Sequence, residues 1–390
     1  MSEPERRRTP RSRFLTALTA IVGALAIPAT LVAVMVRFGG TPAPTDIPDY
    51  GSEAISDRDH VTSMAFSPDG RTLAVAGGTD GAGGTELSLW DVPGRRKVAT
   101  LDLPDHGRVH AVAFSPDGRT LAAGGGFDET DKAWVWLWDA AGRQKIAALP
   151  IPYDWVGELA FSPGGKTLAV GGGKVGEYHN DVGGGVWLWD LASHRNVAAL
   201  TSVSGVDVMA FSPDGKTLAT TGDRSEEWSK IWLWDVARRR KIATLAPGHN
   251  IYSAAFSPDG RTLATGGESG RRLEGEIRLW DVAGRRTVAT LTDPDDYVGP
   301  VAFSPDGKLL ASGDHEKGVR LWDMASHRNV GTVSLPHRRR ELYSVVFSPD
   351  GANLALGGDG IGLCTGRVLV LAPHRCRLTE FGSPSAALSP

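Results

Sequence analysis

The chain has 390 residues, with 42 Lys and Arg against 45 Asp and Glu, a net charge of −3 and 41% hydrophobic side chains. Ordinary domain size would divide that length into two or three domains. The 49 glycines fall mainly in turns and short connections, which excludes a low-complexity chain, and no nucleic-acid partner is expected.

The N-terminal end differs from the rest. Phe14 to Val36 carries no charged side chain, and at 1.5 Å per residue such a run spans about 34 Å as a helix, enough for a bilayer core. It predicts a transmembrane helix at 14–36, kinked at Pro28, behind a short segment at 1–13 that carries Arg6, Arg7, Arg8, Arg11 and Arg13. The positive-inside rule then leaves the N-terminus in the cytoplasm and the bulk of the chain extracytoplasmic, as a single-pass cell-membrane protein. A cleaved signal peptide ending near Ala24-Leu25-Ala26 is the alternative; it would leave Ile27 to Val36 as an exposed apolar tail. Residues 37–58 form a Pro/Thr-rich linker, and 384–390 a tail.

From residue 59 onward one unit recurs, clearest at Ile251 to Leu291. Ile251 to Phe256 predicts a first strand, Ser257-Pro258-Asp259-Gly260 a turn, Thr262 to Thr265 a second strand, Glu276 to Asp281 a third and Thr287 to Leu291 a fourth. Pro258 presets φ for the turn, and Gly260 supplies the left-handed residue that a short hairpin needs. The Phe that ends the first strand recurs at Phe66, Phe114, Phe161, Phe211, Phe256, Phe303 and Phe347. Trp-Asp closes the third strand at Trp90-Asp91, Trp138-Asp139, Trp189-Asp190, Trp234-Asp235, Trp280-Asp281 and Trp322-Asp323, and Val370-Leu371 stands there in the last unit. A four-stranded unit of this size cannot bury both faces alone, so its copies must stack.

This two-part signature resembles the WD-repeat (WD40) family in its FSPDG form, over about Asp59 to Phe381. The resemblance implies an all-β, seven-bladed β-propeller of four-stranded antiparallel blades at 59–383, here preceded by one transmembrane helix, and used for docking rather than catalysis. Unit three departs with Gly164 in place of Asp, and Gly-His survives only as Gly248-His249.

His374 to Phe381 aligns with Gly284 to Leu291, so the last unit is expected to carry its own fourth strand; the competing candidate is Glu53 to Ser56. Cys364 and Cys376 then fall at opposite ends of a strand pair, too far apart for a disulfide.

No nucleophile elbow, Cys-x-x-Cys, His-Glu-x-x-His or phosphate-binding Gly-rich loop is present, so no catalytic residue, cofactor or metal site is assigned. Tryptophans at period two, such as Trp134, Trp136 and Trp138, predict packing between blades. Strand alternation sorts the loops onto two faces. One carries near-identical turns rich in Arg and Lys; the other carries long, acidic, variable loops. On the latter, polar residues flank the constant aliphatic that opens the first strand: His60, Arg108, Trp155, Asn250 and Tyr297 before it, and His110, Asp207, Tyr252 and Tyr343 after it. With Trp228, in a charged loop, they form the candidate protein-binding face. The reading is a non-catalytic protein-interaction scaffold with unidentified protein partners. Its rivals are a ligand- or signal-sensing propeller working with a membrane partner, and a propeller hydrolase.

Overall fold

The computed structural model describes residues 59–380, apart from 80–84, 104–107, 127–132, 176–180, 203–204, 223–228, 270–273, 294–296, 315–317, 335–340, 359–361 and 372–374. Its strands pair in chain order into seven four-stranded antiparallel sheets, at 59–101, 109–150, 155–202, 209–245, 250–293, 298–334 and 342–380, called blades 1 to 7. In the repeat at 250–293 the four strands are Asn250–Phe256, Thr262–Ser269, Glu274–Asp281 and Arg286–Asp293, and the middle pair extends well beyond the strands expected from sequence.

Two parts of the expected architecture are corrected. The protein was expected to be a seven-bladed propeller preceded by one transmembrane helix. Among the described residues there is no helix, so none is long and apolar enough to cross a membrane, and the fold is all-β. Residues 14–36 lie outside the described part, and the single-pass placement, with a cytoplasmic N-terminus and an extracytoplasmic propeller, loses its support because it rested on that helix alone. The blades with side chains described along all four strands, strand ends apart, number six; in the sheet at 342–380 the third and fourth strands are described by backbone pairing only. There Arg375–Glu380 pairs with the strand before it, as the C-terminal alignment anticipated. Cys376 lies opposite Val370, six residues along from Cys364, a separation of about 20 Å at strand rise.

Each Ser-Pro-Asp-Gly hairpin is closed by its own side chains. In blade 5 the Ser257 hydroxyl donates to Asp259 Oδ1 at 2.6 Å, the same carboxylate accepts the Arg261 N–H at 3.0 Å, and Ser257 Oγ accepts the Thr262 N–H at 2.9 Å. The hairpin glycines hold φ between 68° and 70°, where a Cβ would clash with the carbonyl. They also sit against the proline of the preceding hairpin: a Cβ on Gly118 would lie 3.3 Å from Pro68 Cδ, and one on Gly70 would lie 3.5 Å from Pro349 Cδ. That second contact joins the sheet at 342–380 to blade 1 and closes the ring.

The cores lie between blades rather than inside them, as the tryptophan spacing predicted. Trp138 packs among Leu87, Leu89 and Leu101 of blade 1, Trp280 among Leu233 and Leu245 of blade 4, and Trp90 against Val346 and Ala355 at the ring closure. Truncating such a residue to Ala typically costs about 3–5 kcal/mol. The indole N–H groups need acceptors in these dry interfaces. Trp234 donates to Thr220 Oγ1 at 3.0 Å, Trp280 to Thr265 Oγ1 at 3.1 Å and Trp322 to Ser312 Oγ at 2.9 Å.

In blade 3 the equivalent second-strand residue is Val170, fully buried, and Trp189 Nε1 is buried without an acceptor. Val170→Thr supplies the missing oxygen in nearly the same volume. It is expected to raise the unfolding free energy by about 1 kcal/mol, measured by urea denaturation, whereas Thr265→Val should lower it by a similar amount.

Candidate functional site: the bulged rim

The inner strand of each blade enters from the face opposite the Ser-Pro-Asp-Gly hairpins, and its pairing with the second strand slips just after the first aliphatic residue. The slip falls between Val61 and Ser63, Val109 and Ala111, Val156 and Glu158, Ile251 and Ser253, and Leu342 and Ser344. Blade 6 slips over two residues, Gly299 and Pro300. In blade 4 Asp207 holds the equivalent place, just ahead of the Val208–Thr221 backbone bond of 2.9 Å. The extra residues are therefore Thr62, His110, Gly157, Tyr252 and Tyr343, with Asp207 as their counterpart. A bulge leaves its extra residue out of the ladder and re-aims its side chain, here towards the next blade around the ring.

Two of these bulges build the same arrangement. Tyr252 of blade 5 meets Tyr297 of blade 6 edge to face with ring centroids 5.5 Å apart, and its hydroxyl donates to Glu268 Oε1 at 2.8 Å. Asn250 Nδ2 donates to the same oxygen at 3.1 Å, because Asn250 and Glu268 are register partners. Across the ring closure Tyr343 stands 5.0 Å from the His60 ring, and its hydroxyl donates to Glu341 Oε2 at 2.8 Å. Each is an aromatic pair spanning two blades beside a carboxylate held by a tyrosine hydroxyl. All four rings are half-buried and reach solvent.

The other expected site residues fall differently. Arg108 is exposed at the rim, next to His110. His110 Nε2 is buried without a hydrogen-bond partner, and burial pushes its pKa down to about 4, with the charges of Arg108 and His60 acting in the same direction. Asp207 is buried. Trp155, expected on the surface, is only 6% exposed. It fills a slot made by glycines: a Cβ on Gly157 or Gly173 would come within 2.7 or 2.9 Å of its ring, and one on Gly205 closer still. It is an inter-blade packing residue. Trp228 lies outside the described residues.

Sequence reasoning missed Glu268 and Glu341, which fix the tyrosine hydroxyls, and the buried trio behind Asn250. There Arg278 Nε donates to the Glu276 carboxylate, and His249, 1% exposed, has neither ring nitrogen hydrogen-bonded. Burial holds the His249 pKa down, against the pull of the Glu276 charge. Among the described residues no group of three or more His, Cys, Asp or Glu could hold a metal ion.

Repeated Trp-Asp blades closed into a ring define a β-propeller. The family model described as WD domain, G-beta repeat matches residues 54–82, 96–135, 239–281 and 286–323. The chain thus carries WD40 repeats in a propeller arrangement, a construction that typically serves as a protein-interaction scaffold and is generally non-catalytic. Among curated proteins none matches the chain in sequence.

The two histidines give the protein an acid response of definite sign. At pH 5 the unfolded chain holds a proton on each that the folded chain refuses, so stability must fall as pH drops from about 6.5 towards 4. The hairpin carboxylates act next. The Ser67 and Ser115 hydroxyls hold Asp69 and Asp117 below the ordinary 3.8, so their contribution is complete above that value and is lost below it. Melting curves from pH 7.5 to 4.5 should show a falling midpoint, and His110→Gln should flatten the fall.

Proposed function

We propose that the protein is a non-catalytic docking platform whose partner protein binds on the bulged rim, around His60, Arg108, Asn250, Tyr252, Tyr297 and Tyr343. The observation that carries this reading is the contrast between the two ends of the same strands. The hairpin end repeats one closed motif in which the Ser hydroxyl and the Asp carboxylate serve the turn. The other end uses a repeated backbone device, the bulge, at residues that differ from blade to blade, Thr62, His110, Tyr252 and Tyr343, with Asp207 as their counterpart, and in two blades it brings a tyrosine to solvent. Ring closure alone has no need of that variety, and exposed tyrosine rings match the aromatic enrichment of interface hot spots. His110, Asp207 and Trp155 lie beneath this surface and support it.

The test is capture on immobilised full-length protein, comparing wild type with Tyr252→Ala, Tyr297→Ala and Tyr343→Ala, followed by affinity measurement with the captured partner. Each tyrosine that is a hot spot should cost about 2 kcal/mol, roughly a 30-fold loss of affinity, with the thermal midpoint nearly unchanged. Affinities within threefold of wild type for all three variants would place the partner elsewhere. Trp155→Ala should instead lower the thermal midpoint.

A further inference from the structure

Two residues before the Trp of each Trp-Asp, on the same face of the third strand, stand Ser88, Trp136, Trp187, Trp232, Arg278 and Arg320 in blades 1 to 6. Five of these six blades bring a cation to this level of the strand. In blade 2 Lys145 Nζ stands 3.6 Å from the Trp136 ring centroid, and in blade 4 Lys241 Nζ stands 4.2 Å from that of Trp232. Blade 1 has no ring there, and Lys97 reaches the Glu86 carboxylate instead. In blades 5 and 6 the residue is itself arginine, Arg278 paired with Glu276 and Arg320 Nε lying 3.9 Å from Asp314 Oδ2. The lysines all come from one place on the outer strand: Lys97, Lys145 and Lys241 are the register partners of Trp90, Trp138 and Trp234. Where arginine serves, that place holds Thr287 or Asn329.

Blade 3 keeps the ring and lacks the cation. Asn196 is the register partner of Trp189, and its side-chain amide turns back to donate to the Ala198 carbonyl at 3.1 Å. Among the described residues no Lys or Arg lies over the Trp187 ring. The ring is fixed without one. Tyr153 meets it edge on, with centroids 6.2 Å apart and planes at 69°, and the indole N–H donates to the Tyr153 hydroxyl. Trp187 also packs against the core of the seam between blades 2 and 3. It is half-buried, and its register partner Ala199 is exposed, so the ring is reached from solvent. The face of an indole attracts an ammonium group, the more so where water is partly excluded.

We propose that Trp187, in the cleft between blades 2 and 3, receives the ammonium group of a lysine side chain from a partner protein, in the place that Lys145 and Lys241 fill in the blades on either side. The chain itself shows which ligand this position takes, because two of its three ring-bearing blades already hold it. The Tyr153 contacts pre-set the ring, so little ordering is left for the partner to impose. The cleft is distinct from the bulged rim, and the proposal does not rest on what binds there.

The experiment is a fluorine-NMR titration of full-length protein labelled with 5-fluorotryptophan, using acetyl-lysine methylamide as the probe. The Trp187 resonance is assigned by its loss in Trp187→Phe. It should shift saturably, while those of Trp136 and Trp232, already covered, stay in place. The uncharged acetyl-norleucine methylamide should bind roughly fivefold more weakly, the ratio that a cation–π contact of ordinary strength supplies. Two substitutions at exposed positions give the reciprocal check: Asn196→Lys should fill the site from within and abolish the Trp187 shift, and Lys241→Asn should make Trp232 responsive. A Trp187 resonance that does not move, that moves equally with the norleucine probe, or that still moves in Asn196→Lys overturns the proposal. Tighter binding of acetyl-arginine methylamide would overturn the choice of lysine. A Trp187 resonance that shifts with protein concentration alone would show that the lysine comes from a second copy of the chain, and would overturn the choice of a partner protein.

Discussion

The fold depends on each blade giving up one face of its sheet to the next. A single four-stranded sheet of about 40 residues has too little interior to stand alone; the Trp of each Trp-Asp lies in the seam with the preceding blade, and the hairpin glycine rests on the preceding proline. These contacts are useful only if every seam is filled, including the one where Trp90 meets Val346 and Gly70 meets Pro349. The ring is thus a cyclic chain of pairwise interfaces, and the strands within a blade mainly set the spacing between them.

That dependence explains where polar groups are tolerated. In three seams a second-strand hydroxyl accepts the indole N–H, and where Val170 replaces it the Trp189 indole is left without a partner. Serines of the inner strand act in the same way across the seam: Ser63 Oγ accepts the Val112 N–H at 3.1 Å and Ser253 Oγ the Val301 N–H at 2.9 Å. Ser344, their counterpart at the ring closure, is buried with its hydroxyl unpartnered. The closing seam therefore lacks a bond that two others possess.

Much of this was legible in the residues. The Phe interval, the Ser-Pro-Asp-Gly hairpin and the Trp-Asp terminus located the strands, because turn chemistry is local and the seam tryptophan recurs at fixed spacing. The predicted first strand Ile251 to Phe256 is one residue short of the observed one. The bulges were not legible. An inner strand is buried on both faces, so slipping the pairing at Tyr252 leaves no break in hydropathy, and only the odd five-residue gap from Ile251 to Phe256 hints at it. Trp155 was misplaced for a related reason: its burial is created by Gly157 and Gly173 of its own blade and Gly205 of the connection to the next, residues that carry no hydropathy signal. The basic turns misled in the other direction, since counting charges could not show that Lys145 and Lys241 fold back onto tryptophans. The apolar run at 14–36 suggested a membrane helix on length alone, and the described structure lends it no support.

Because every blade takes its four strands from consecutive sequence, no strand among the described residues crosses the seam between residues 342–380 and 59–101. The outer strand of the sheet at 342–380 ends, and the inner strand of blade 1 begins, in the relation that elsewhere is bridged by a connection such as 102–108. Topologically the ring has no privileged starting point. A linker of that length from 380 to 59, with new ends opened in any other connection between blades, would give a circular permutant with the same interfaces. The present position of the ends decides which seam bears the burden of closure, and the permutants would let that burden be moved from one seam to another.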